Sequence, residues 1–227
     1  MSSQRAYARL AGLMYLLVLA FDIIGLIIGY FVAGGGDFAA QAHRIVSLEA
    51  LYRFSLTLAL AGALATVLLA VGLYVTVKPI DPNLATIALV FRALEAAIGA
   101  VAIVGSFSAL ELYRAGAGES PFNAAQLGAL QQLAESGAGT SVAAIFFCVG
   151  STVFFYLLSR SDYIPRVLSL WGLFSSLVYL AYWWLGLIVP DLPGAVTIGA
   201  SLPILVAEVS TGLWLLIRGI KTQATAV

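Results

Sequence analysis

Hydrophobic positions along this chain run in continuous blocks rather than alternating with polar ones. Six blocks cover about 10–33, 53–77, 84–110, 139–159, 167–189 and 197–218. Each has roughly the 20 residues that cross about 30 Å of hydrocarbon at 1.5 Å rise per residue. At that depth the backbone has no water to bond, so each block is expected to be helical. The pattern predicts an all-α fold: an integral membrane bundle of six transmembrane helices forming one domain over residues 1–227. Arg5 and Arg9 precede the first block, as in a signal peptide. It is too long for an apolar signal core and lacks a clear small-residue cleavage site, so it reads as a retained span.

Polar punctuation differs between the two sides. Lys78-Pro79-Ile80-Asp81-Pro82-Asn83 and Ser161-Asp162-Tyr163-Ile164-Pro165 are tight turns, in which proline and aspartate stop one helix and start the next. Two connections on the other side are long and patterned. Phe38, Ala42 and Ile45 recur at helical spacing after Asp37, a natural N-cap. Leu127, Leu130, Leu133 and Ala134 form a stripe after Pro121 and Asn123. Both segments are expected to be short amphipathic extracytoplasmic helices, either sealing the bundle or acting as a lid. The third outer loop, Pro190-Asp191-Leu192-Pro193-Gly194, is short and expected to be stiff. The two tight turns also echo each other, from Leu73-Tyr74 to Leu84 and from Phe155-Tyr156 to Leu168, as duplicated hairpins would.

Basic residues orient the bundle. With the N-terminus inside, Arg5, Arg9, Lys78, Arg160, Arg166, Arg218 and Lys221 are cytoplasmic, against Arg44, Arg53 and Arg114 outside. The positive-inside rule then puts both termini in the cytoplasm. Aromatic belts are expected at the span ends: Tyr15, Tyr74, Tyr156, Trp171 and Trp214 inside, and Tyr30, Tyr52, Trp183 and Trp184 outside.

Four charges break the apolar blocks near their middles: Asp22, Arg92, Glu95 and Glu208. Each costs about 2.5–3.5 kcal/mol at the bilayer centre on insertion scales, about 10–14 kcal/mol together. They must therefore face one another, water or a ligand. Small residues share their faces: Gly25 and Gly29 with Asp22, Gly99 and Ser106 with Arg92 and Glu95, and Ser201, Thr211 and Gly212 with Glu208. Ser55, Ala59, Gly62 and Thr66 mark the second span, Ser141, Cys148 and Thr152 the fourth, and Gly172, Ser176, Tyr179 and Trp183 the fifth. Small residues allow helices to approach closely in lipid, so these faces point toward partner helices. Arg53 and Glu49 are one turn apart near the outer boundary, where the arginine can snorkel.

Two readings of the midspan cluster compete. It either staples helices through ion pairs or binds an ion, proton or small molecule, because three acids outnumber one base. Asp22, Arg92, Glu95 and Glu208 are the candidate ligand- or ion-binding residues, with Arg53, Glu49, Ser106 and Ser201 as secondary polar positions.

Composition narrows the chemistry. The chain is 62% hydrophobic and 10% charged, whereas a soluble domain is about 45–50% apolar. Lys plus Arg equals Asp plus Glu at 11 each, so nothing favours nucleic acid as a partner. One histidine, His43, and one cysteine, Cys148, cannot build a zinc or bis-histidine haem site. His43 lies in a connecting segment, away from any buried serine it could activate. Gly34-Gly35-Gly36 reads as a helix terminator rather than a phosphate loop. No cofactor or metal is expected, and an intramembrane enzyme is the least supported class. The lipid bilayer, a small-molecule or ion ligand and further copies of the chain are the expected partners.

Ala8-Arg9-Leu10-Ala11-Gly12-Leu13, Phe91-Arg92-Ala93-Leu94-Glu95-Ala96, Tyr163-Ile164-Pro165-Arg166-Val167-Leu168, and Pro203 through Ala207-Glu208 to Leu213-Trp214-Leu215-Leu216 resemble a bacterial polytopic membrane family catalogued as domain of unknown function 4386. The likeness covers nearly the whole chain. It implies a multi-pass protein of a prokaryotic cytoplasmic membrane and brings no activity, substrate or catalytic residue. The reading that follows is a transporter or sensor built around the midspan charges. Its rival is an assembly or scaffold subunit in which those charges only lock the helices.

Overall fold

In the computed structural model, residues 3–135, 138–189 and 192–221 are described. Every regular element among them is an α-helix: α1 Ser3–Ala33, α2 Phe38–Ser47, α3 Glu49–Val77, α4 Pro82–Ala117, α5 Ala124–Ala134, α6 Ala138–Ser159, α7 Arg166–Ile188 and α8 Gly194–Ile217. Six of them, α1, α3, α4, α6, α7 and α8, are long and apolar enough to cross a bilayer. The two short ones are the patterned connections. Pro190 and Asp191 of the loop expected to be stiff lie outside the described residues.

Exposure follows the logic of a lipid solvent. Many small side chains, such as Ala8, Ala11, Ala70, Ala85, Ala88, Ala207 and Ser176, are buried, while large ones such as Leu26, Ile27, Val101, Phe174 and Ile217 are exposed. Hydrocarbon is as apolar as leucine, so these helices gain by close approach rather than by hiding large side chains.

The chain divides into two compact units. The first comprises Met1–Leu17, Leu64–Ala97 and Ser141–Val227; the second comprises Val18–Ala63 and Ile98–Thr140. In the first unit, Gly12 of α1 faces α8 so closely that a methyl group there would strike the Leu216 amide nitrogen and lie 2.7 Å from the Gly212 carbonyl. A methyl at Gly212 would in turn lie 2.9 Å from Tyr15 Cβ. This crossing sets the register of the two helices. α7 and α8 also pack together, and the Trp171 indole N–H donates to the Pro203 carbonyl at 3.1 Å.

In the second unit, α1 ends at Gly34, whose φ of 63° is the left-handed conformation that closes a helix cheaply only for glycine. Arg44 of α2 donates to the Phe31 carbonyl at 2.8 and 3.2 Å, satisfying one of the acceptors that the helix end leaves open. Asp37 caps α2 as its sequence position implies, accepting from the Ala40 amide at 2.9 Å. Asn123 caps α5 in a reciprocal capping box with Gln126. The expected α5 stripe is not seated as one face, however. Leu127 is buried, but Leu130 and Leu133 are exposed. The helix meets its neighbours at Gly128, beside Phe38, and through the Ala134 carbonyl, against Gly105 of α4.

Candidate functional site

Arg92 is the most deeply buried charge in the first unit, at 2% exposure. Its guanidinium meets Glu95 Oε2 at 2.9 Å, one helical turn along α4. It donates to the Ser151 hydroxyl at 3.4 Å and lies 4.7 Å from the centre of the Phe147 ring, both on α6. Gly150 makes this approach possible, because a methyl there would be 2.8 Å from Arg92 Cγ. Glu208 of α8, Tyr15 of α1 and Cys148 of α6 lie in the electrostatic neighbourhood of Arg92. The first unit therefore gathers three of the four midspan charges, together with a tyrosine assigned above to an interfacial belt.

That tyrosine corrects the aromatic reading. Tyr15 is 2% exposed, so it is a core residue and not a headgroup anchor. The Gly12–Gly212 crossing, one turn away on each helix, draws it inward toward the charges. Ser201 is more ordinary, since its hydroxyl donates to the Thr197 carbonyl at 2.8 Å, as helical serines commonly do.

Asp22 belongs to the second unit. It lines a cavity of about 420 Å³ formed by α1, α3 and α4, with Glu135 at the C-terminal end of α5. Tyr30, Tyr52, Ser55, Ser106 and Tyr113 are its other polar side chains, and no basic side chain lines it. Tyr52 is 7% exposed; its hydroxyl donates to Glu135 Oε1 at 3.1 Å and also reaches the Ser106 carbonyl at 3.4 Å. Gln131 donates to the other oxygen of Glu135. Tyr113 stands edge-on to Tyr52 at 6.2 Å and stacks on Phe38 at 5.5 Å, making one wall aromatic. Asp22, by contrast, makes no hydrogen bond or ion pair among the described residues. It is exposed into the cavity beside Gly62, where a methyl would stand 2.8 Å from Oδ1. Tyr52 and Gly62 are ten residues apart on α3, so the two acids are anchored about 15 Å apart along that helix.

Close packing beside Asp22 is only partly what Gly25-Leu-Ile-Ile-Gly29 suggests. A methyl at Gly25 would be 3.4 Å from the Ser55 carbonyl, whereas one at Gly29 would meet nothing within 4 Å. The space at Gly29 forms part of the cavity instead. Tyr52 is a second tyrosine placed above at an interface and found buried. Arg53 and Glu49 form a half-exposed cluster of their own: Glu49 accepts from Arg53 at 2.7 Å and from Arg114 at 2.5 and 3.0 Å, and Arg114 also pairs with Glu111 at 2.8 Å. Tyr113 and Glu135 escaped the sequence reading because neither interrupts an apolar block.

Residues 10–219 match the family described as Domain of unknown function (DUF4386). The chain belongs to that family. No curated protein and no solved structure matches it. Membership agrees with the all-helical architecture, and this DUF4386 member is a membrane protein with six apolar helices of spanning length.

Proposed function

We propose that this DUF4386 member binds a small cation, either a protonated organic amine, an inorganic ion or a proton, in the cavity of its second unit, and that it works as a transporter or sensor in a bacterial cytoplasmic membrane with both termini inside. The observation that carries the reading is Asp22: a carboxylate in the middle of an apolar helix, unpaired among the described residues and exposed into a cavity of about 420 Å³. An intramembrane acid without a structural partner is by default a functional one. The lining supports a cationic occupant, since it holds two acids and no base.

The test is ligand-induced stabilisation of the purified protein in lipid nanodiscs, across alkylamines, quaternary ammonium ions and alkali and alkaline-earth cations. A saturating ligand at about 100 times its Kd stabilises the folded state by about 2.7 kcal/mol. A proteoliposome carrying a pH-sensitive dye covers the proton. Asp22→Asn is expected to abolish the response while leaving the folded yield intact. No response from any cation or proton gradient, or an undiminished response in Asp22→Asn, would sink the reading.

One observation favours the rival, helix-locking role for the other three charges. Arg92 and Glu95 form an ion pair at 2.9 Å, and Ser151 and the Phe147 ring also lie against the arginine. On this reading the first unit uses its midspan charges as a staple, and the second holds the ligand.

A further inference from the structure

Several helix ends meet at one end of the first unit. Gln4, at the start of α1, donates to the Thr76 carbonyl near the end of α3 at 2.7 Å and to the Tyr163 hydroxyl in the α6–α7 turn at 3.0 Å. α8 ends at Gly219, whose φ of 67° turns the chain so that Ile220 is buried at 3% exposure and Lys221 follows it. Two cavities open here and share Trp214 and Lys221. One, of about 720 Å³, is lined by Arg160, Arg166 and Asp162 as well; the other, of about 520 Å³, by Arg5 and Arg218.

Five cations thus face one carboxylate, and none of the five forms an ion pair among the described residues. Five cations against one carboxylate leave a positive field at this end of the unit, which solvent screens in part and a bound anion would neutralise. The backbone adds to the field. α7 starts at Arg166 behind Pro165 with no side-chain cap. The Leu168 and Ser169 amides bond the Pro165 carbonyl, so the Arg166 and Val167 N–H groups at the positive helix end remain available to an anion. Trp214 lines both cavities.

We propose that these joined cavities bind a phosphate-bearing anion: the headgroup of an anionic phospholipid, or a soluble phosphate of the same chemistry. Arg166 and Arg160 face the phosphoryl oxygens with the α7 amides, and Lys221 closes the site from α8. This does not depend on the cavity in the second unit.

The experiment places the full chain in nanodiscs of pure phosphatidylcholine and titrates in phosphatidylglycerol in one arm and inorganic phosphate in the other, following thermal stability and binding by native mass spectrometry. Each basic residue at a membrane surface contributes roughly fivefold in affinity, so Arg160→Gln/Arg166→Gln/Lys221→Gln should bind about a hundredfold more weakly. Lys221→Gln alone, at an exposed position past the last helix, should lose about fivefold without affecting folding. Binding of phosphatidylglycerol but not phosphate assigns the lipid headgroup; binding of phosphate assigns the soluble anion. The proposal is overturned if neither binds, if Lys221→Gln and the triple variant bind as wild type does, or if the control Arg53→Gln/Arg114→Gln weakens binding as much as the triple variant.

Discussion

Replacing Arg92 by methionine separates a staple from a spectator. The side chain is 2% exposed, with Glu95 at 2.9 Å, Ser151 at 3.4 Å and the Phe147 ring at 4.7 Å. Removing one partner of a buried ion pair costs about 3–5 kcal/mol, most of it from the charge left behind. Glu95 is less enclosed than its partner, at 18% side-chain exposure, which puts Arg92→Met near the lower end, about 3 kcal/mol. Glu95→Gln leaves Arg92 with the field of Glu208, and should cost about 2 kcal/mol. In the double variant no charge of the pair remains to be stranded. Its cost should be about 2–3 kcal/mol rather than the sum, a coupling of about 2 kcal/mol or more. The assay is the unfolding free energy of all four proteins in mixed micelles under reversible conditions. Additive single effects, or an Arg92→Met cost below about 0.5 kcal/mol, would refute the staple.

Three further outcomes are expected. Gly12→Ala should destabilise by about 1–3 kcal/mol, because its new methyl lies 2.7 Å from the Gly212 carbonyl and 2.9 Å from the Leu215 carbonyl carbon, both backbone atoms; wild-type stability would show that α1 and α8 do not cross there. Gln4→Leu should cost about 1–2 kcal/mol for its two hydrogen bonds, measured by thermal unfolding, and no change would mean that the clasp to Thr76 and Tyr163 is not formed in the membrane. Glu49→Gln should change stability little despite its two arginine partners, because Arg53 and Arg114 are over 40% exposed, and the difference should shrink at high salt; a large, salt-independent loss would contradict a surface ion cluster.

The helices and their caps were legible because the signals are local. Apolar blocks of spanning length, Asp37 three residues before the Ala40 amide, and Asn123 three before Gln126 each announce their structure within one turn. Arg92 with Glu95 was legible for the same reason, being three apart on one helix. What sequence obscured was pairing between distant segments. Gly12 and Gly212 are two hundred residues apart, and nothing in either neighbourhood marks them as partners, whereas the Gly25–Gly29 spacing advertised a contact that only Gly25 makes. Tyrosines were drawn toward interfaces by their position near span ends, yet Tyr15 and Tyr52 are buried beside carboxylates. One faint signal existed: Tyr15 shares a helical face with Asp22, seven residues on. Glu135 had none, because it lies in a connection where an acid is unremarked.

The structure treats its acids in two opposite ways, and that contrast argues for division of labour. Glu95 is held by Arg92, and Glu135 is held by Tyr52 and Gln131, so each is fixed by groups that would be stranded without it. Asp22 strands nothing if removed. A chain under selection for stability alone would gain from an uncharged residue there, since a midspan aspartate costs about 2.5–3.5 kcal/mol on insertion. Gly62 sharpens the point, because any larger residue would press on the Asp22 carboxylate and close the space around it. The cavity therefore combines a fixed acid on an aromatic wall with an open one beside a glycine. A fixed wall orients a ligand and an uncommitted carboxylate can meet its charge, which a staple does not require.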